Sequence, residues 1–133
     1  MSVFTKIISG EISCCKIAET EDFFAFLDIN PNAPGHTLCV PKREVNKLFD
    51  LEEKTYIDFM LFSRQVALCL QEEVECKRIG MSVIGLEVPH VHVHLIPLRD
   101  MEDMRFSNKV SQEKEEMQEI ADRVNNRFNK TFN

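Results

Sequence analysis

The chain has 133 residues, 44% hydrophobic and 29% charged, a mixture that excludes a disordered or fibrous protein and fits one compact domain, 1–133. Net charge is −6, from 16 Lys+Arg against 22 Asp+Glu, with Lys42-Arg43 and Lys77-Arg78 the only adjacent basic pairs. So scattered a basic set argues against a nucleic-acid partner but leaves room for a small phosphorylated ligand, and no apolar run nears the roughly 20 residues that span a bilayer.

Met1 to Lys6 carries no basic-then-apolar signal segment, so the expected setting is cytoplasmic, without a membrane partner. Phe4 to Ile8 predicts one or two helical turns before Gly10, and Lys16 to Ala18 a short strand. Phe23 to Leu27 is aromatic-rich and reads as a strand. It stops at Asp28 to Gly35, whose two prolines and glycine demand a loop. His36 to Val40 is the next strand, and Pro41 is expected to end its ladder.

A helix of roughly 23 residues, about 35 Å long, is predicted from Asp50, which can cap it while Glu53 reciprocates as in a capping box. Tyr56, Met60, Ala67, Leu70 and Val74 recur at helical spacing, widened by Phe59 and Val66. Ile79–Ile84 and His90–Ile96 read as two strands, joined by Gly85 to Pro89 in a hairpin-length connection. A last helix is expected from Ser111 to about Phe128, with Met117, Ile120, Val124 and Phe128 apolar and Glu113 in its first turn. The sum is α+β: a mostly antiparallel sheet with one long and one C-terminal helix.

Five cysteines, an odd count without CxxC spacing, give no disulfide framework and point to reduced thiols, with Cys39 and Cys69 as small core residues.

The four histidines are His36, His90, His92 and His94. In Pro89-His90-Val91-His92-Val93-His94-Leu95-Ile96 the alternation is strict, so all three imidazoles project from one side of a strand. Val91, Val93 and Leu95 then face the other side, where the long helix could cover them. Burying several imidazoles costs several kcal/mol unless their nitrogens find partners, so a purely structural strand would be better served by Thr or Val. Two chemistries suit the pattern. One is a zinc site with an open position, which needs ring nitrogens converging at roughly 2.0–2.1 Å from one point. The other is nucleophilic attack on phosphorus by one imidazole flanked by two that orient it and handle protons. Cα atoms at i, i+2 and i+4 of a flat strand span about 13 Å, which favours the nucleophile.

His90 to Ile96 resembles the signature of the histidine triad family, His-φ-His-φ-His-φ-φ with φ apolar. The resemblance runs from about Phe4 to Leu98 and takes in Phe4 to Ile12, Phe26-Leu27-Asp28-Ile29, and Pro31 to Lys42. It implies a five-stranded antiparallel sheet with a long helix and a homodimer built through helix and sheet. It implies hydrolysis or transfer of a nucleoside monophosphate joined to an amine or phosphate leaving group, with adenine or another purine as base. Carried over by position, His92 is the nucleophile that forms a nucleotidyl-histidine intermediate. His94 and His36 lie towards the phosphate and leaving group, and His90 holds the imidazoles in working tautomers. Asp28 would accept from the ribose hydroxyls, a role suited to an acceptor-only carboxylate; the lesser alternative is an Asx turn that opens the Asn30-Pro31 loop. Phe26 and Ile29 match apolar positions around the base. No metal or cofactor is needed.

The resemblance breaks just before the triad. Where the family has Gly-Gln-Ser/Thr, this chain has Gly85, Leu86 and Glu87, and no asparagine stands between Cys76 and His90. Leucine donates nothing, and an ionised Glu87 4 Å from a phosphate would cost about 4 kcal/mol at an effective dielectric of 20. Glu87 must point away, be protonated or face a cationic leaving group. Ser2 and Thr5 stand where some members carry CxxC, so no structural zinc is expected. Three functions follow in order: a nucleotide hydrolase or transferase, a nucleotide-binding module with little turnover, and a histidine-ligated metal enzyme.

Overall fold

The structure is a computed structural model describing residues 1–133. Its elements are α1 (Val3–Ile8), β1 (Lys16–Glu19), β2 (Phe23–Leu27), β3 (Thr37–Pro41), α2 (Glu53–Glu73), β4 (Arg78–Ser82), β5 (Val93–Leu98) and α3 (Lys114–Phe132). The strands form one antiparallel sheet in the order β1-β2-β3-β5-β4, which is the α+β architecture expected. No helix is long and apolar enough to cross a membrane.

Alternation along the strands sorts the sheet into two unlike faces. Ala25, Leu27, Cys39, Val91, Val93 and Leu95 join Phe59, Phe62, Val66 and Leu70 of α2 and Met117, Ile120, Val124 and Phe128 of α3 in one large core. On the opposite face, Phe24, Phe26, Leu38 and Val40 form a smaller cluster closed by Phe4 of α1. Residues i and i+2 share a face of a strand, so both clusters follow from the sequence directly.

Several boundaries differ from the sequence reading: β3 is Thr37–Pro41 rather than His36 to Val40, and β4 is Arg78–Ser82 rather than Ile79 to Ile84. The ladder of β5 begins at Val93, so His90 and His92 lie in the 83–92 connection and only His94 is in the strand. Continuing the β3–β5 register would oppose Pro41 to Val91, and Pro41 has no N–H for a ladder. Val91 N–H donates instead to the Val45 carbonyl at 2.8 Å, and the Pro41 carbonyl goes to the His90 ring. Pro41 itself still pairs with Phe23 inside β3, because the other edge needs no donor from it.

The long helix starts at Glu53, with Glu52 as its unbonded N-cap, while Asp50 closes a 3-10 turn over Leu48–Asp50. Leu51 is extended (φ −67°, ψ 143°), which separates Asp50 from the helix and undoes the capping box. The buried stripe of α2 is centred on Phe59, Phe62, Val66, Cys69 and Leu70, with Tyr56, Met60 and Ala67 half-buried at its flanks. The last helix starts at Lys114 rather than Ser111, and Glu113 is its N-cap. All four of its expected apolar residues are buried.

Gly35 sets the entry to β3. Its φ is +89°, and a Cβ there would lie 3.0 Å from both Pro97 Cγ and Val74 Cγ2. Only glycine meets both demands without strain, so the turn that delivers His36 to the sheet depends on it.

Candidate active site

The four histidines meet at the sheet face not covered by α2 and α3. His92 and His94 rings are 5.0 Å apart and nearly perpendicular, and His36 and His94 rings are 5.2 Å apart. His36 and His90 are fully buried, while His92 and His94 keep 7% and 8% of their surface open.

The hydrogen bonds assign every tautomer. His36 Nδ1 accepts the Asn32 backbone N–H at 3.0 Å, so the ring proton sits on Nε2 and is donated to His94 Nδ1, also at 3.0 Å. His94 is thereby protonated on Nε2. His92 Nδ1 donates to the His90 carbonyl at 2.8 Å, which leaves the Nε2 lone pair of His92 without a protein partner. His90 Nε2 donates to the Pro41 carbonyl at 2.7 Å, so its Nδ1 accepts from the Ser2 hydroxyl at 2.6 Å. The assignment is the one arrangement in which each of these hydrogen bonds pairs a donor with an acceptor.

Burial disfavours protonation of three of these rings, His36, His92 and His94. Burial pushes His36 down to about 3, with the neighbouring His94 and Lys109 adding to the shift. It pushes His94 down to about 4, aided by His92 and Lys109. Burial also lowers His92, opposed by its bond to the His90 carbonyl and by the fields of Asp28 and Glu87. A neutral His92 is the form that carries a nucleophilic lone pair.

Asp28 follows β2 and lies with Oδ2 3.7 Å from His36 Nε2. Because His36 is neutral, this is a carboxylate beside an uncharged ring rather than an ion pair. Oδ1 accepts the Asn30 backbone N–H at 2.8 Å, so the Asx turn considered from the sequence is present. It uses one of the carboxylate's four acceptor positions and leaves others for a ligand. Burial raises Asp28 above the ordinary carboxylate range, while Lys109 pulls the other way.

Asp28, His36 and His94 each offer a ligand atom within 4.8 Å of the others, close enough for a metal ion by distance alone. The tautomers oppose it. A metal on His36 Nε2 would drive the proton to Nδ1, where it would meet the Asn32 N–H head-on. The zinc expected to be absent at Ser2 and Thr5 finds no suitable donors either: Ser2 N–H and Thr5 Oγ1–H both donate to Glu44 Oε1, at 2.6 and 2.8 Å. Hydroxyls are not zinc ligands in ordinary structural sites.

Phe26 is buried against Phe4 and Phe24, with ring centroids 5.6 and 6.1 Å away, so it is a wall of the smaller core. Ile29 is 86% exposed and Leu86 89%. Glu87 points to solvent and makes no hydrogen bond to the protein, though its charge reaches His92. Of the three options open to it, pointing away is the one adopted.

Five participants were not singled out as site residues. Ser2 caps α1 by accepting from Thr5 N–H and also donates to His90. Phe4 packs its ring against those of His92 and His90 at 4.9 and 5.7 Å. Asn32 fixes His36. Ser82 lies directly across the ladder from His94, hence on the same face, and its buried hydroxyl has no partner. Phe106 sets its ring perpendicular to His94 at 4.8 Å. Of the contacts to the histidines only Asn32 to His36 is local; the others join segments too distant in the chain for a sequence pattern to report.

The HIT domain pattern matches residues 9–101. An adenosine 5'-monophosphoramidase of Saccharomyces cerevisiae is 38% identical over 99 residues, covering 74% of this chain and 63% of that protein. One of Schizosaccharomyces pombe is 34% identical over 96 residues, 71% of this chain and 72% of that one. The chain thus spans less than two thirds of the first relative's length. Among solved structures, a Hit-like protein of Bartonella henselae superposes with a TM-score of 0.82 at 26% identity, over 94% of each chain. A HIT family protein of Bacillus anthracis gives 0.72 at 29% identity, over 94% of this chain and 95% of that one. With its triad, its sheet order and this extent of sequence likeness, the chain belongs to the HIT domain family.

Proposed function

We propose that the protein hydrolyses or transfers nucleotides, cleaving a purine nucleoside monophosphate from an amine or phosphate leaving group. The observation that carries this reading is the 2.8 Å bond from His92 Nδ1 to the His90 carbonyl, which leaves the Nε2 lone pair without a protein partner. Relatives named adenosine 5'-monophosphoramidase support the choice of bond.

In the first step His92 Nε2 attacks the α-phosphorus and the bond to the leaving nitrogen or oxygen breaks. His94 Nε2–H donates a hydrogen bond to the departing atom, and solvent supplies the balancing proton. In the second step water attacks phosphorus, the phosphorus–nitrogen bond to His92 breaks, and the released proton returns to solvent. The Ser82 hydroxyl is placed to donate to a phosphoryl oxygen, in the manner of other preorganised donors. Asp28 accepts from the ribose diol, Ile29 flanks the base, Phe26 backs the pocket, and Glu87 limits what approaches His92. Residues 1–133 act as one HIT-like unit in the cytoplasm, where five free thiols stay reduced.

Incubating an adenosine phosphoramidate with the wild type and with His92→Ala tests the reading. Turnover should fall at least about 10³-fold, the scale of losing a covalent catalyst, and mass spectrometry should find one AMP on the His92 peptide of the quenched wild type. A variant with undiminished turnover would end the proposal. A second reading, a binding module with little turnover, is favoured by Leu86 and Glu87; ligand binding without turnover in both proteins would select it.

A homodimer completes the proposal. Ile57, Leu61 and Leu68 lie exposed along one face of α2, and β4 is an open sheet edge carrying exposed Met81. Unpaired edges and apolar stripes of this kind are covered in stable proteins. Light scattering should return twice the chain mass; the mass of one chain would refute the dimer.

A further inference from the structure

Beyond β5 the chain runs past residue 101, where the family match ends, and folds back over the His36–His94 pair. Asn32 is the anchor of this return. Fully buried, it gives its backbone N–H to His36 Nδ1 and its Nδ2 to the Asp103 carbonyl, and it accepts Lys109 Nζ on Oδ1 at 2.8 Å. Val110 N–H adds a bond to the Pro31 carbonyl at 2.9 Å. Asp103 is itself held by Arg99, through its backbone N–H and two guanidinium donors at 2.8, 3.1 and 2.9 Å.

This segment brings a cation to a site that has lost its usual phosphate donors. Lys109 Nζ lies 5.3 Å from the centre of the Phe106 ring, and that ring rests on His94. An ammonium has three donors; Asn32 takes one, leaving two. The field of Lys109 is felt at Asp28, His36 and His94 together, while the 85–89 loop leads into the triad. That loop offers an exposed Leu86 and an acidic Glu87, neither of which can stabilise a phosphoryl group. A lysine on a flexible four-carbon stem reaches an anion as a point charge.

We infer that Lys109 binds the phosphoryl group of the nucleotide, supplying from outside the triad motif the charge-assisted donor that Leu86 and Glu87 cannot. The phosphoryl oxygens then sit between Lys109 on one side and His92 and Ser82 on the other, with the ribose over Asp28. Glu87, whose charge is felt at His92, disfavours anions beside the 85–89 loop and leaves Lys109 as the favourable anchor.

The inference rests on the nucleotide reading, and titration calorimetry of the full chain separates the two. AMP and adenosine would be titrated into the wild type, Lys109→Met and Lys109→Arg. AMP affinity should weaken about tenfold in Lys109→Met, the scale of one charge-assisted hydrogen bond. Adenosine affinity should change less than about twofold, and Lys109→Arg should recover most of the loss because an arginine keeps the charge. Equal weakening of both ligands, or unchanged AMP affinity, would overturn the role of Lys109 while leaving the nucleotide reading intact. A wild type that binds neither ligand would overturn the nucleotide reading and this inference with it. Lys109→Met also deprives the buried Asn32 Oδ1 of its donor, so that variant should melt somewhat below the wild type while Lys109→Arg melts near it; AMP and adenosine weakened alike in Lys109→Met would make Lys109 a structural residue and refute the inference.

Discussion

The two ends of the triad are fastened by opposite means. His90 is tied to the start of the chain: its Nδ1 accepts from Ser2, and Phe4 packs against its ring. His94 is tied through His36 to Asn32 and so to the segment after β5. The first anchor belongs to a six-residue helix whose cap carries the bond, the second to a buried pair of neutral rings. His92, between them, is held by a backbone carbonyl and an aromatic edge, with no side-chain hydrogen bond of its own. The comparison teaches that the flanking histidines absorb the positional constraints, and the middle one keeps a free lone pair.

The anchors should fail differently. At the His94 end, burial depresses His36 and His94 to about 3 and about 4, below the unfolded value near 6.5. The unfolded chain therefore binds protons that the folded chain refuses, and stability rises with pH through this window. It is fully present above about pH 6.5 and lost as pH falls, by about 1.4 kcal/mol per unit per histidine. Between pH 7 and pH 5 the pair should remove on the order of 4 kcal/mol, read as a drop in the urea midpoint. Replacing His36 by Gln should flatten the dependence. A profile unchanged between wild type and variant would show that this end is not held by buried neutral rings.

At the His90 end the effect should be smaller. Ser2→Ala removes a helix cap and a buried hydrogen-bond donor at once, expected to cost about 2 kcal/mol in stability. It should lower kcat several-fold with little change in KM, because the His90 carbonyl that orients His92 loses its support. Ser2→Thr, which keeps the hydroxyl, should restore both. Full activity in Ser2→Ala would show that Pro41 and Phe4 hold His90 unaided.

Much of this was legible beforehand. The period-two alternation of 90–96 separated Val91, Val93 and Leu95 for the helix side from the histidines, and both sets lie on their expected faces. β2 begins and ends at its aromatic run, and every apolar residue expected of α3 is buried. The strand boundary at Val93 was not legible, since it turns on a proline of the neighbouring strand β3 rather than on anything in the 90–96 segment. The start of α2 failed for a related reason. A capping box is a local pattern, and the 3-10 turn at Leu48–Asp50 displaced it.

Alternation and helical spacing thus determined from sequence alone which residues share a face, the fold class, and which imidazole stands in the middle. Those are properties of neighbours along the chain, where backbone geometry repeats every two or 3.6 residues. Which nitrogen of His90 and of His94 carries its proton was decided by tertiary structure. The bonds that settle it reach across 88 residues from Ser2 to His90, 58 from His36 to His94 and 49 from Pro41 to His90. A hydrogen bond needs its partners within about 3 Å and well aligned, and no periodic signal reports where two distant segments will meet.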